Sequence, residues 1–109
     1  MSLLHGFRIL AVEQYGAAPF GTQLLAALGA EIIKVEQAAQ GGDVSRLVGP
    51  HFLAGLPDSA QSLFFQSLNQ GKKSITLNLA HPEGRAVFRK LAATAHGVVD
   101  NLRGLLQPR

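Results

Sequence analysis

Apolar and polar residues follow two periods along this chain, and the segment ending at Glu36 shows both. Arg8-Ile9-Leu10-Ala11-Val12-Glu13 is a short apolar run of the kind a strand buried on both faces requires. Gly16-Ala17-Ala18 breaks the run, and Pro19 stands at the predicted first helical position, where a missing N–H costs nothing. Phe20 to Leu28 predicts a helix with Leu24, Leu25 and Leu28 on its buried face and Gly29 as its stop. Glu31-Ile32-Ile33-Lys34-Val35-Glu36 is the second predicted strand. Strand, helix and strand make a βαβ unit, whose first turn is where such folds bind ligands.

The second half repeats the alternation more weakly. Gln37 to Ser62 is rich in Gly, Pro, Ala and Gln, with turn signals at Gly41-Gly42-Asp43, Gly49-Pro50 and Pro57-Asp58-Ser59. A loop this long in a compact domain points to a site or a partner. Ser62 to Asn69 predicts a short helix with Phe64 and Leu68 on one face, and Gln70-Gly71-Lys72-Lys73 a turn. Ser74-Ile75-Thr76-Leu77-Asn78-Leu79 alternates as a strand does. His81-Pro82-Glu83-Gly84 opens a second long helix, with a buried stripe of Val87, Phe88, Leu91, Ala92 and Ala95 and a stop at Gly97. Val98 to Leu102 is a fourth strand. The fold class is α/β: a Rossmann-like, mostly parallel sheet with helices on both faces.

Length and composition narrow this picture. The 109 residues suit one domain, and 47% hydrophobic with 16% charged residues is a globular composition. There is no cysteine, which excludes a disulfide framework and thiolate chemistry and is compatible with a cytoplasmic protein. The formal net charge is +3, but the Lys and Arg residues are scattered, Trp is absent and there is one Tyr. That pattern argues against nucleic acid and for a phosphorylated small molecule. No apolar run approaches the ~20 residues of a membrane span, and the first six residues do not read as a secretion signal.

Candidate chemistry is sparse. Gly71-Lys72-Lys73-Ser74 fails as a phosphate loop, because Gln66 stands where glycine is needed and a strand follows instead of a helix. What remains is a basic turn able to meet an anion. Glu36 ends the second strand where dinucleotide folds place a ribose acceptor; its other reading is a solvated carboxylate paired with Lys34. His5, His51, His81 and His96 lack metal spacing and read as surface or capping residues. Asp43 and Arg46 read as a surface ion pair closing the long loop. No carboxylate pair or serine elbow supplies a catalytic group.

Taken in order, these short pieces resemble the N-terminal part of the family III CoA-transferases, which include formyl-CoA and carnitine CoA-transferases and the related α-methylacyl-CoA racemases. The matching pieces are Gly6-Phe7-Arg8-Ile9-Leu10, Pro19-Phe20-Gly21-Thr22-Gln23-Leu24-Leu25, and Leu28-Gly29-Ala30-Glu31-Ile32-Ile33-Lys34-Val35-Glu36. Further on come Gly42-Asp43-Val44-Ser45-Arg46, Phe65 to Asn69 with Gly71 to Ile75, His81-Pro82-Glu83-Gly84-Arg85, and Asp100-Asn101-Leu102-Arg103-Gly104. The resemblance implies an interlocked homodimer of chains about four times longer, transferring a sulfur-containing group. It implies CoA thioester and carboxylic acid as substrates, no covalently bound cofactor, and an attacking aspartate beyond this chain. The chain then reads as a truncated open reading frame, a fragment or a degraded gene copy. A racemase-type member, a stand-alone nucleotide-binding module and an inactive fragment are the alternative readings.

The resemblance also implies half of a CoA site. Gly16 and Ala17 fall on the turn facing the thioester and pantetheine, where a family member carries glutamine at the first position. Gln37 takes a place that can hold a basic residue touching the nucleotide phosphates. Leu77, Asn78 and Leu79 with Asn101, Leu102 and Arg103 line the CoA groove, Asn78 replacing the more usual aspartate, and Arg109 is placed to meet the phosphates.

Overall fold

A computed structural model describes residues 3–37, 41–55 and 62–101. Leu102, Arg103 and Arg109, and the Pro57-Asp58-Ser59 turn signal, lie outside the described residues. Four strands, β1 (Arg8–Val12), β2 (Glu31–Glu36), β3 (Lys73–Thr76) and β4 (Gly97–Asp100), form one parallel sheet in the order β3-β2-β1-β4. Helix α1 (Ala17–Ala27) joins β1 to β2, the short α2 (Leu63–Leu68) precedes β3, and α3 (Pro82–Ala92) carries the chain from β3 back to β4. The crossovers through α1 and α3 step in opposite directions along the sheet, so right-handed connections place α1 and α3 on opposite faces. This is the expected α/β architecture with helices on both sides.

The core lies where the two central strands meet α1. Leu10, Ala11 and Ile32 are fully buried, and Leu4, Ile9, Leu25 and Ala26 pack around the cluster of Ala11, Ala30 and Ile32. The chain reverses after α1 through Gly29, whose φ of 104° is a backbone state that glycine adopts freely.

Several boundaries differ from the sequence reading. Helix α1 starts two residues before Pro19, with Gly16 as its N-cap. Proline is tolerated there because its N–H would still lack an intrahelical acceptor. The buried face of α1 carries Pro19 and Thr22, while Leu24 and Leu28 are 52% and 44% exposed. Thr22 turns inward because its hydroxyl donates to Glu13 Oε1 at 2.6 Å. Leu24 then faces away, about 200° around the helix from it. In α2 the buried residue is Phe65 instead of Phe64 or Leu68. Strand β3 stops at Thr76, level with the last residue of β2, and one more bond from Leu77 N–H to Glu36 O at 3.1 Å carries the chain on. Helix α3 ends at Ala92, and Gly97 opens β4 opposite Ile9 instead of ending the helix. In the predicted stripe, Phe88, Leu91, Ala92 and Ala95 are half-buried and Val87 is exposed. No helix among the described residues is long and apolar enough to cross a membrane.

Candidate functional site

Strand registers set Val12 level with Asp100 and Glu36 level with Thr76, so the carboxyl ends of all four strands share one edge. The chain steps from β1 outward through β2 to β3 and then crosses to β4 on the other side of β1. The carboxyl ends of β1 and β4 therefore flank the topological switch point, the crevice where open α/β sheets take ligands.

Gly16 and Ala17 stand at this crevice as N-cap and first residue of α1. The helix has no side-chain cap and no acidic residue in its first turn. Its first intrahelical donor is Phe20 N–H, on Gly16 O at 2.8 Å, which leaves the Ala17 and Ala18 N–H groups without intrahelical acceptors. Asn101 closes the other side: its Oδ1 accepts from Gln14 N–H at 3.1 Å and its Nδ2 donates to Gln14 O at 2.9 Å. Those two bonds fasten the end of β4 to the segment after β1 and bring Asn101 within two residues of Gly16.

The remaining described candidates form a second group over β2 and β3. Gln37 Nε2 lies 3.5 Å from Asn78 Oδ1, which also accepts from Ala80 N–H at 3.1 Å. Leu77 and Leu79 are half-buried, and the carbonyl of Leu79 accepts from Arg85 Nη1 at 3.2 Å. Gly84 lets α3 start against this segment, since a Cβ there would lie 2.0 Å from Asn78 O. Because β1 and β2 are neighbours, the two groups occupy adjoining stretches of one edge.

Beneath that edge lies a buried ionic network that the sequence reading missed. Lys34 Nζ lies 3.2 Å from Glu13 Oε2 and 2.6 Å from Asp43 Oδ2. Lys72 Nζ, also buried, lies 2.6 Å from the same Glu13 oxygen and donates to Pro19 O at 2.9 Å and Asn69 Oδ1 at 3.0 Å. Glu36 takes Arg46 in a fork, Nε on Oε1 at 2.8 Å and Nη2 on Oε2 at 2.7 Å. It accepts in addition from Asp43 N–H at 2.8 Å and from the Ser74 hydroxyl. The Arg46 guanidinium rests 3.9 Å from the centre of the Phe65 ring.

Burial alone would raise the Glu36 carboxyl, but Arg46, Ser74 and the Asp43 N–H outweigh it and hold the group at about 2. Asp43 follows the same logic: burial pushes it up, and Lys34 with the Tyr15 and Ser45 donors brings it below the ordinary range. Burial pushes the Lys72 ammonium down, and Glu13 offsets that only in part.

Three sequence readings change accordingly. Glu36 is neither a ribose acceptor nor a partner of Lys34, because Arg46, Ser74 and Asp43 occupy both of its oxygens. Asp43 and Arg46 do not pair at the surface; each takes a buried partner from β2. Only half of the basic turn is open to an anion, since Lys72 is bonded internally, while Lys73 is 69% exposed and pairs with Glu31 at 3.0 Å. The one available signal was Lys34 itself, a cation inside an otherwise apolar strand. Among the described residues no group of side chains is arranged to hold a metal ion. His81 caps α3 through Nδ1, on Glu83 N–H at 3.1 Å, and His96 Nδ1 accepts from Arg8 N–H at 3.0 Å.

Comparison with known proteins gives a consistent result. The sequence profile of CoA-transferase family III matches residues 4–106. The chain is 37% identical over 101 residues to the succinate–glutarate CoA-transferase of Agrobacterium fabrum, covering 92% of this chain and 25% of that protein. It is 41% identical over 98 residues to the formyl-CoA:oxalate CoA-transferase of Rhodopseudomonas palustris, with coverages of 90% and 22%. A CAIB/BAIF family protein from Brucella suis superposes with a TM-score of 0.84 at 35% identity, covering 93% of this chain and 26% of that one. The chain thus spans about a quarter of the length of these relatives.

Proposed function

We propose that this chain, which belongs to the CoA-transferase family III, is the CoA-binding N-terminal segment of an acyl-CoA:carboxylate CoA-transferase. The observation that carries the reading is the crevice at the carboxyl ends of β1 and β4, where the uncapped start of α1 at Gly16 and Ala17 faces the fastened Asn101. Free backbone donors at a helix N-terminus suit a polarised carbonyl or an anionic sulfur, the two forms that the CoA end of a thioester takes during transfer. Gln37, Leu77, Asn78 and Leu79, on the adjoining stretch of the edge, would take the rest of the CoA chain, together with Leu102, Arg103 and Arg109.

The reaction we assign to the whole protein is nucleophilic catalysis by an aspartate outside this chain. Its carboxylate attacks the thioester carbon, the C–S bond breaks, and a mixed anhydride and CoA thiolate result. The thiolate then attacks the aspartyl carbonyl and releases the first acid, and an acceptor carboxylate takes over the CoA by the reverse steps. The relatives named for succinate, glutarate and oxalate suggest a small dicarboxylate as acceptor. The product assembly in this reading is a homodimer of the longer chain.

Thermal unfolding of the chain with CoA, succinyl-CoA and NAD tests the binding half. CoA at 100 times its dissociation constant should add ~2.7 kcal/mol of stability, and NAD nothing. No shift with millimolar CoA would overturn the reading.

A further inference from the structure

Tyr15 has a φ of 70°, a left-handed backbone state that an L-residue with a side chain adopts at a cost. It is the residue immediately before Gly16, so its conformation sets the entry of the chain into α1. Its N–H donates to Asp43 Oδ1 at 3.0 Å, across 28 residues of sequence, and its ring packs on Phe64 with centroids 5.1 Å apart. Asp43 cannot follow the turn if the turn moves. Its Oδ1 also accepts from Ser45 N–H at 2.9 Å and Ser45 Oγ at 2.7 Å, and its Oδ2 is held by Lys34 Nζ at 2.6 Å. Its own N–H is held by Glu36. Gly42 lets the loop come this close: its φ is 94°, and a Cβ would lie 2.7 Å from Glu36 Oε1.

We propose that Asp43 is a positioning residue for the β1–α1 turn. Anchored on Lys34, its carboxylate keeps Tyr15 left-handed, so that the Ala17 and Ala18 N–H groups face the crevice between β1 and β4. Asp43 is 2% exposed, so it acts on a ligand only through Tyr15. The ligand class, a CoA thioester, rests on the functional reading above; the hold on the turn does not.

The test uses the 109-residue chain with Asp43→Ala, Asp43→Ala/Tyr15→Gly and, as a general destabilisation control, Thr94→Ala. The Thr94 hydroxyl accepts from Arg8 Nη1 at 2.8 Å and donates to Leu91 O at 2.7 Å, at the opposite end of β1 from this turn. Three quantities are read: the dissociation constant for CoA, the melting temperature, and the Tyr15 amide–Hα coupling, which reports φ. Asp43→Ala should weaken CoA about tenfold, the loss expected for a hydrogen bond to a charged group, and shift the Tyr15 coupling. The added Tyr15→Gly should return affinity to within about threefold, because glycine takes positive φ freely, without restoring the melting temperature. Thr94→Ala should lower the melting temperature and leave affinity and coupling in place.

An Asp43→Ala chain that keeps the coupling, or that loses it and still binds CoA at full strength, overturns the proposal. If the unsubstituted chain takes up no CoA, the functional reading fails, and the coupling alone decides whether Asp43 holds the turn. If Asp43→Ala does not fold, Asp43→Asn replaces it. Loss of the charge facing Lys34, Glu13, Glu36, Arg46 and Lys72 must then move the Tyr15 amide proton upfield, and an unmoved proton overturns the proposal.

Discussion

Lys34 and Glu13 meet across β1 and β2 with Nζ 3.2 Å from Oε2, and neither side chain is more than 1% exposed. A pair this deep contributes little net stability while both charges are present, but removing one partner strands the other in a dry site. Lys34→Met should therefore cost ~3–5 kcal/mol, because it leaves the buried Asp43 Oδ2 without its cation and Glu13 with Lys72 alone. Urea unfolding measures it, and Lys34→Met/Asp43→Asn should recover part of the loss.

The Glu36 carboxyl predicts how the chain responds to acid. Its folded value, about 2, lies below the ordinary 4.5, so the unfolded chain takes up this proton first. The stabilisation, on the order of 3 kcal/mol, is fully present above about pH 4.5 and is lost as pH falls toward 2. Urea midpoints taken between pH 7 and pH 2 should show a steep acid limb that Glu36→Gln flattens. Asp43 titrates in the same direction and leaves a residual slope in that variant.

Gly84→Ala places a Cβ 2.0 Å from the Asn78 carbonyl oxygen. Backbone cannot swing aside as a side-chain tip does, so the first turn of α3 must lift. The expected cost is ~1–3 kcal/mol. Hydrogen exchange should speed up at His81 and Arg85, the N–H groups bonded to Asn78 O and His81 O.

Asn101→Ala removes both side-chain bonds to the Gln14 backbone. The expected loss is ~1–2 kcal/mol, with faster exchange at Gln14 and at the end of β4. Under the CoA reading, affinity falls as well, whereas Asn101→Asp keeps the acceptor for Gln14 N–H and loses only the donor.

How much of this was legible in the sequence depended on whether one residue or two carried the signal. Strands β1 and β2 announce themselves, since Ile9 to Val12 is an apolar run and Ile32, Ile33 and Val35 surround a single charge, Lys34. The face of α1 does so only in part: Leu25 packs on the core as expected, but Leu24 and Leu28 outvote one threonine until Glu13 is known to receive the Thr22 hydroxyl. Pro19 was read as a helix start, yet it is equally permitted at the third position of a first turn. The switch-point geometry followed from strand order, and Gly16 with Asn101 could be placed there by resemblance. The network below it could not be read, because the bonds that tie it together join distant segments, Glu13 to Lys72 and Tyr15 to Asp43, 59 and 28 positions apart. Surface pairing was the default for Asp43 and Arg46, and burial on two different partners overturned it.

The network matters for how a charged ligand would arrive. Glu13, Glu36 and Asp43 are matched one for one by Lys34, Lys72 and Arg46, so the group is electrically neutral as a whole. The chain's formal charge of +3 therefore resides outside it, on cations such as Arg85, Arg89 and Lys90 of α3. Ionic strength screens those outer charges and slows the capture of a polyanion. It leaves the interior pairs, and the shape they impose on the crevice, nearly untouched.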